Sequence, residues 1–358
     1  MKNYLRYAYL LMALPCLLGC GAARVLDGNA QFHQDYCAPA PLFRKTVAMR
    51  PYWNTDSLLQ AHPDLPKAVA ISANATGTLS QLLQLKALGR DTGMAAQVQR
   101  ATLRAAIQQR LLLAVTEISG LAAEMDCEGE RADQLGRYLD NLNSSRNTKL
   151  TVGSIIVAAI TTVATIAIKD HTMQNATAIT GGVISSGLAL MTVNPAGRRI
   201  RLSLQRNVLK DVWARADSSD IYSPGLWYML SDRHFSNSGT ISLMESITGR
   251  WKQYDLDRKV SAADAERYFG NGGVYTADNL HTRAAMLNEL QSTIRSLNQN
   301  LQGLMEYLDG YGGEGRVCDR RMEAALSSTS HFHARLGHQV NHPRALEVKE
   351  CLRGWESK

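Results

Sequence analysis

Four histidines, His331, His333, His338 and His342, fall within twelve residues near the C-terminus, with Asp319 and Glu323 upstream. His338 and His342 stand one helical turn apart, a spacing at which two imidazoles on one face can share a metal ion. Pro343 follows directly and ends any helix there. The expectation is therefore an exposed polar tail, titrating near the ordinary histidine pKa of about 6.5, and no metal site. Gly310, Gly312 and Gly315 spell G-x-G-x-x-G. That fingerprint binds a pyrophosphate only on a strand-turn-helix that aims backbone amides at it. Here it follows a long helical pattern, so a glycine turn closing that helix is expected. The sequence has no Walker A loop, no HExxH and no G-x-S-x-G elbow, and no spacing joins its Ser, His and Asp residues into a triad. These observations point to a protein that is not an enzyme and carries no cofactor.

The N-terminus carries a different chemistry. Lys2 and Arg6, an apolar run from Ala8 to Leu18 and the small Gly19 form the three-part build of a secretory signal. The run is shorter than the roughly 20 apolar residues that span a bilayer. Its end, Leu17-Leu18-Gly19-Cys20, resembles the lipobox of bacterial lipoproteins. The resemblance covers only the leader. It implies cleavage before Cys20, acyl chains on the Cys20 sulfur and on the new N-terminus, and anchoring in the cell envelope, since more than one chain holds stably to a membrane. Gly21 stands where inner-membrane lipoproteins of Gram-negative bacteria tend to carry Asp, so the implied location is the outer membrane, facing the periplasm.

Losing Lys2 and Arg6 takes the net charge from +7 to +5, too mild to call for a nucleic-acid partner. The expected partners are the membrane, through Cys20, and another envelope protein or a second copy of the chain. With Cys16 gone in the leader, Cys37, Cys127, Cys318 and Cys351 remain. An even number in an oxidising compartment suggests two disulfides. Three pairings are open, and loop closure favours Cys37 with Cys127. No CxxC is present to suggest a redox or zinc site.

The elements that must position these groups are helical. The 358 residues are 45% hydrophobic and 20% charged, enough for a packed core and against wholesale disorder. Ile107, Leu111, Ala114, Ile118, Leu121 and Met125 step by fours and threes, as do Leu287, Leu290, Ile294, Leu297, Leu301, Leu304 and Leu308. Each is the seam of a helix laid on another helix, and the two seams suit one another. The expected architecture is mainly α, an elongated antiparallel helical bundle.

Its segments are a signal peptide over 1–19, a lipid-anchored tether and irregular stretch over 20–77, and long amphipathic helices over 78–149. A hydrophobic hairpin over 150–193 follows, then a helical region with an aromatic-rich irregular stretch over 194–317 and a C-terminal helix with a polar tail over 318–358. Gly89 and Gly93 predict a break, as does Cys127-Glu128-Gly129. Arg198–Lys210, basic and apolar together, reads as an ordinary amphipathic helix with a solvated face, the alternative being a surface that meets anionic head groups. Ser261 and Asp264 predict a capped helix start, and Gly270, Gly272 and Gly273 break the chain.

The most unusual stretch is the hairpin. Leu150 to Ile168 carries no charge, nor does Ala176 to Val193, and a polar link runs between them. Small residues recur at fourfold spacing: Ser154, Ala158 and Thr162 in the first arm, with Gly153 beside them, and Thr177, Gly181, Ser185 and Ala189 in the second. Such spacing resembles the glycine-zipper pattern and lets two helix backbones approach closely. Bases flank both outer ends, Arg146 and Lys149 before and Arg198, Arg199 and Arg201 after, whereas the link offers only Lys169 beside Asp170. For a protein outside the cytoplasm this opposes the positive-inside bias of an inner-membrane span. Burial in the chain's own bundle or in an oligomer is therefore the first expectation, with insertion into a bilayer as the alternative.

The function expected is that of a non-enzymatic envelope lipoprotein, a structural or accessory subunit acting through helix–helix packing. The alternative is a membrane-inserting protein, because a hydrophobic hairpin between amphipathic helices is similar in layout to helical pore-forming toxins.

Overall fold

The structure, a computed structural model, describes residues 25–27, 37–38, 54–89, 91–193, 197–256 and 258–310. It is mainly α, with a single small sheet among the described residues. The described residues divide into two compact units, one within Met49–Glu117 and Ser296–Lys358, the other within Met1–Ala48 and Ile118–Arg295.

In the first of these, three short helices, α1 (Thr55–Ala61), α2 (Lys67–Ala75) and α3 (Leu79–Ala87), precede the start of a long one, α4 (Met94–Ala167), whose residues from Ile118 belong to the other unit. Two of them occupy a stretch whose lack of period reads as irregular. The reason is that α2 is buried on every side from Val69 to Ala75, and a helix apolar all round shows no stripe. Pro66 caps α2, where a missing N–H deprives the helix of nothing. Asn54 caps α1 by accepting the Ser57 N–H at 3.1 Å. The last described helix, α11 (Asn298–Gly310), packs on α2, and the Ser72 hydroxyl donates to the Asn300 carbonyl at 2.9 Å. Leu301, Leu304 and Leu308 are buried there, as are Ile107 and Leu111 of α4. The break at Gly89 and Gly93 is real, since residues 88–93 separate α3 from α4.

The break at Cys127–Gly129 is not. α4 runs unbroken for 74 residues, and Gly129 instead marks a close approach. In the unit containing residues 118–295, α10 (Ala277–Ser296) lies antiparallel on α4. A Cβ at Gly129 would meet Asn288 Oδ1 at 2.9 Å and Leu287 Cβ at 3.7 Å. Ile118, Leu121 and Met125 of α4 and Leu287, Leu290 and Ile294 of α10 are all buried, so the two seams are satisfied within the chain. The second heptad stretch is two helices rather than one, α10 and α11, with Leu297 at the junction. Cys127, on α4, is disulfide-bonded to Cys37, with Cα atoms 5.5 Å apart.

After the hairpin's second arm, α5 (His171–Val193), comes a strand where an amphipathic helix is expected: β2 (Arg199–Ser203). Its burial alternates, Ile200 and Leu202 inward and Arg199, Arg201 and Ser203 outward, which is the period of two that defines a half-buried strand. β2 is the middle of three strands. It pairs in parallel with β1 (Val25–Asp27), inside the stretch expected to be a tether, and antiparallel with β3 (Gly272–Tyr275). The glycines expected only to break the chain start β3. At Gly272, φ is +98°, and a Cβ would fall 2.4 Å from the Leu202 carbonyl oxygen, so glycine alone fits.

The sheet is covered by short helices: α6 (Lys210–Ala214), α7 (Pro224–Ser231), α8 (Leu243–Arg250) continuing into a π-turn at Trp251–Asp255, and α9 (Ala262–Phe269). Local caps fix their starts. Ser242 and Glu245 form a capping box on α8, and Ser261 accepts the Asp264 N–H at 3.0 Å on α9. Trp213 stacks on Phe269 with centroids 4.1 Å apart, and Trp251, Tyr222 and Tyr275 are buried beside this layer. Glu124 of α4, itself buried, takes a two-pronged hydrogen bond from Arg206 at 2.5 and 3.1 Å. That pair ties the segment after β2 to the long helix.

Candidate functional site

The feature that this scaffold presents is the hairpin. Its arms are residues 150–167 of α4 and α5, joined by three residues, Ile168 to Asp170. Asp170 starts α5 by accepting the N–H groups of Thr172 and Met173 at 2.8 and 3.1 Å, so the turn needs no outside partner. The arms run antiparallel. Gln174 Nε2 donates to the Thr165 carbonyl at 2.8 Å, Gly181 lies on Thr161, and Gly153 approaches Leu188. A Cβ on Gly181 would overlap the Thr161 side chain. This glycine is therefore what lets the backbones meet.

The face between the arms is partly the one read from the small-residue spacing. Gly153, Ser154, Thr177, Gly181 and Ser185 are half-buried or buried, whereas Ala158, Thr162 and Ala189 are exposed. In the first arm the half-buried residues are Leu150, Gly153, Ser154, Val157, Thr161, Ala164 and Thr165. Spacing alone gives the period of a stripe, and a stripe one position over has the same period.

The outward face is aliphatic. Ile155 is 62% exposed, Ile160 63%, Val163 68% and Ile166 80%. α4 is long and apolar enough to cross a membrane by length and composition, and no part of its charge-free 18-residue window is buried within the protein. The expectation that the chain's own bundle covers the hairpin therefore fails among the described residues. The other helices spend their apolar faces on one another, and none reaches these side chains. Seven hydroxyls in the arms are satisfied by their own helix. Ser154, Thr161, Thr162, Thr165, Thr177, Thr180 and Ser185 each donate to a carbonyl three or four residues back, at 2.7–3.2 Å. The hydroxyl content that makes the hairpin look polar in sequence is thus largely spoken for.

At the foot of the hairpin bases predominate, with the exposed Asp27 of β1 in register with Arg201 across the sheet. Lys149, Arg198, Arg199 and Arg201 are exposed. From Asn141 to Arg201 the sole acidic residue is Asp170, at the far tip. Asn143 fastens the returning chain, its Oδ1 accepting the Arg198 N–H at 2.8 Å. A shallow groove of about 550 Å³ on α4 is lined by Asp140, Asn143, Asn147, Thr151 and Val152 among others. Its carboxylate, Asp140, is engaged by His281 Nε2 at 3.0 Å, and His281 Nδ1 meets Asp133 at 2.8 Å. The ring sits over Gly136, where a Cβ would come within 2.7 Å of it. Asp140 and Asp133 hold the His281 pKa above its usual value against a smaller opposing effect of burial; Arg137 in turn pairs with Asp133 at 2.8 Å. This clasp joins residues almost 150 positions apart, and no local signal announces it.

Among the described residues no group of three or more His, Cys, Asp or Glu side chains is placed to hold a metal ion. Gly310 ends α11. Gly312, Gly315, the histidines His331, His333, His338 and His342, the cysteines Cys318 and Cys351, the leader with Cys20, and Gly21 lie outside the described residues. No family model, curated protein or solved structure matches this chain.

Proposed function

We propose that the chain is a non-enzymatic membrane protein that inserts the hairpin of residues 150–193 into a lipid bilayer. The observation that carries this reading is the uncharged, aliphatic outer face of residues 150–167, exposed along its whole length. In water such a face is unfavourable by roughly 25 cal/mol for each Å² of apolar surface left uncovered. In hydrocarbon it is at home, and an arm of about 27 Å, at 1.5 Å per residue, comes close to the roughly 30 Å of a bilayer core. The self-satisfied hydroxyls support the reading, because hydrocarbon offers them no partner. The positive-inside objection concerns spans oriented during synthesis. A folded hairpin entering tip first leaves its bases on the side it came from. The lipobox-like Cys20 suits the same reading, since an acylated chain is held beside a bilayer from the outset.

Alkaline carbonate washing of membranes from cells expressing full-length Cys20→Ala tests it, since that variant lacks the lipid attachment site. With its leader shown to be removed, the chain is expected in the pellet, and adding Ile156→Asp and Ile160→Asp should release it. Release of the Cys20→Ala chain with its hairpin intact sinks insertion.

A second reading, a structural subunit packed on another envelope component or on a second copy, has its own observation. Ala178, Gly182 and Ser186 are exposed at fourfold spacing on the outer side of α5, and a Cβ on Gly182 would touch nothing within 4 Å. Such a row admits a further helix at close range. Gly182→Leu should then abolish cross-linking to the partner while leaving carbonate resistance intact; unchanged cross-linking removes this reading.

A further inference from the structure

We propose that the bases at the foot of the hairpin, Lys149, Arg198, Arg199 and Arg201, form a binding site for the phosphates of anionic phospholipids, so that the hairpin selects negatively charged membranes. This rests on the insertion reading above and names the lipid class. Lys149 is the last residue before the charge-free arm, so insertion of that arm sets its ammonium at the edge of the hydrocarbon. The returning chain is pinned nearby: the Arg198 N–H is held by Asn143 Oδ1 at 2.8 Å. Asn143 lies six residues before Lys149, about 9 Å along the helix at roughly 1.5 Å per residue. A headgroup layer adds about 5–7 Å on each side of the core, and an arginine stem spans the remainder by extending its charged head toward the phosphates.

Arg199 and Arg201 stand two apart on β2, both on its exposed face, so both guanidinium forks lie on one side. Guanidinium groups bind phosphate oxygens in pairs. No carboxylate lies in the sequence between Asn141 and Arg201 except Asp170 at the tip; across the sheet the exposed Asp27 of β1 stands in register with Arg201, one carboxylate against four bases. A lipid surface is favoured over an acidic protein because these bases continue directly into the charge-free arms, and a bilayer presents phosphate and hydrocarbon in that same order.

Flotation of purified full-length Cys20→Ala with vesicles tests this. One set is phosphatidylcholine alone and the other an equal mixture of phosphatidylcholine and phosphatidylglycerol. Each base near an anionic surface contributes about fivefold in partition. Lys149→Gln/Arg199→Gln/Arg201→Gln is therefore expected to bind the mixed vesicles about a hundredfold less than the parent, to bind neutral vesicles equally, and to melt at the same temperature. Arg199→Lys/Arg201→Lys should retain most of the preference, and added salt should erase it. Equal binding of the parent to both vesicle types, or a triple variant indistinguishable from it on the mixed set, overturns the headgroup site and leaves insertion standing. Failure of the parent to bind either vesicle overturns both.

Discussion

Two stretches of one helix, within one compact unit, meet opposite fates. From Ile118 to Leu139, α4 carries seven charged residues, counting Glu124 through Arg137, yet its apolar positions Ile118, Leu121, Met125, Leu135 and Leu139 are all buried. From Leu150 to Ala167 it carries none, yet Val152, Ile155, Ile156, Ile160, Val163 and Ile166 are exposed. The lower stretch is amphipathic and finds α10. The upper one is apolar around most of its circumference, more than a single partner arm can cover. The contrast teaches that hydrophobicity by itself does not forecast burial. What matters is whether the rest of the chain supplies a surface of matching width, and where it does not, the missing partner lies outside the fold.

The comparison can be broken most forcefully at the outer face of the upper stretch. Ile156→Asp/Ile160→Asp should cut membrane retention by about twenty-thousandfold, at about 3 kcal/mol for each charge placed in the hydrocarbon. The melting temperature in solution should not move, because nothing within the described residues packs on those side chains. A lower melting temperature would show that this face is packed after all. In the lower stretch the opposite pattern is expected. Arg206→Met strands the buried Glu124 carboxylate, and loss of about 3–5 kcal/mol should appear in urea unfolding with carbonate resistance unaltered.

A packing change of intermediate size sits between the arms. Gly181→Leu, forced against Thr161, should loosen the hairpin by about 1–3 kcal/mol. It should be read as proteolytic nicking near Lys169, while the unit below it keeps its stability.

The smallest effect concerns the His281 clasp. Its two ring nitrogens face two carboxylates, and its pKa is raised in the folded state. A raised pKa means that the contribution is whole below about pH 6.5, the unfolded value, and fades as pH climbs through the higher folded value. His281→Gln should therefore cost about 0.5 kcal/mol in mild acid, as for an exposed ion pair, and nothing in alkali. A pH-independent difference would show that the ring acts by packing alone.

Much of the hairpin was legible beforehand. The charge-free runs, the polar link and the flanking bases are local facts, and helices at both arms follow from them. In the first arm Gly153 and Ser154 lie on the inward face as the spacing predicts, but farther along Val157 and Thr161 stand inside in place of Ala158 and Thr162, because rotation about the helix axis is set by the partner. α2 leaves no periodic signal in the sequence, because burial on all sides erases it. β2 was legible in its Arg-Ile-Arg-Leu-Ser alternation, yet the basic residues drew it toward a helix reading.

The sequence by itself determined what depends on neighbours along the chain: mainly helical elements, the caps at Ser242 and Ser261, the seams at Ile107–Met125 and Leu287–Leu308, and a hairpin that no charge interrupts. Only the tertiary structure decided what depends on groups far apart in sequence. It paired Cys37 with Cys127, turned Gly129 from a break into a landing place for α10, laid His281 over Gly136, set β1 beside β2, and left the outer face of residues 150–167 uncovered. The physical reason is that backbone preference and periodicity act over one or two turns, whereas burial is a property of what the whole chain brings alongside.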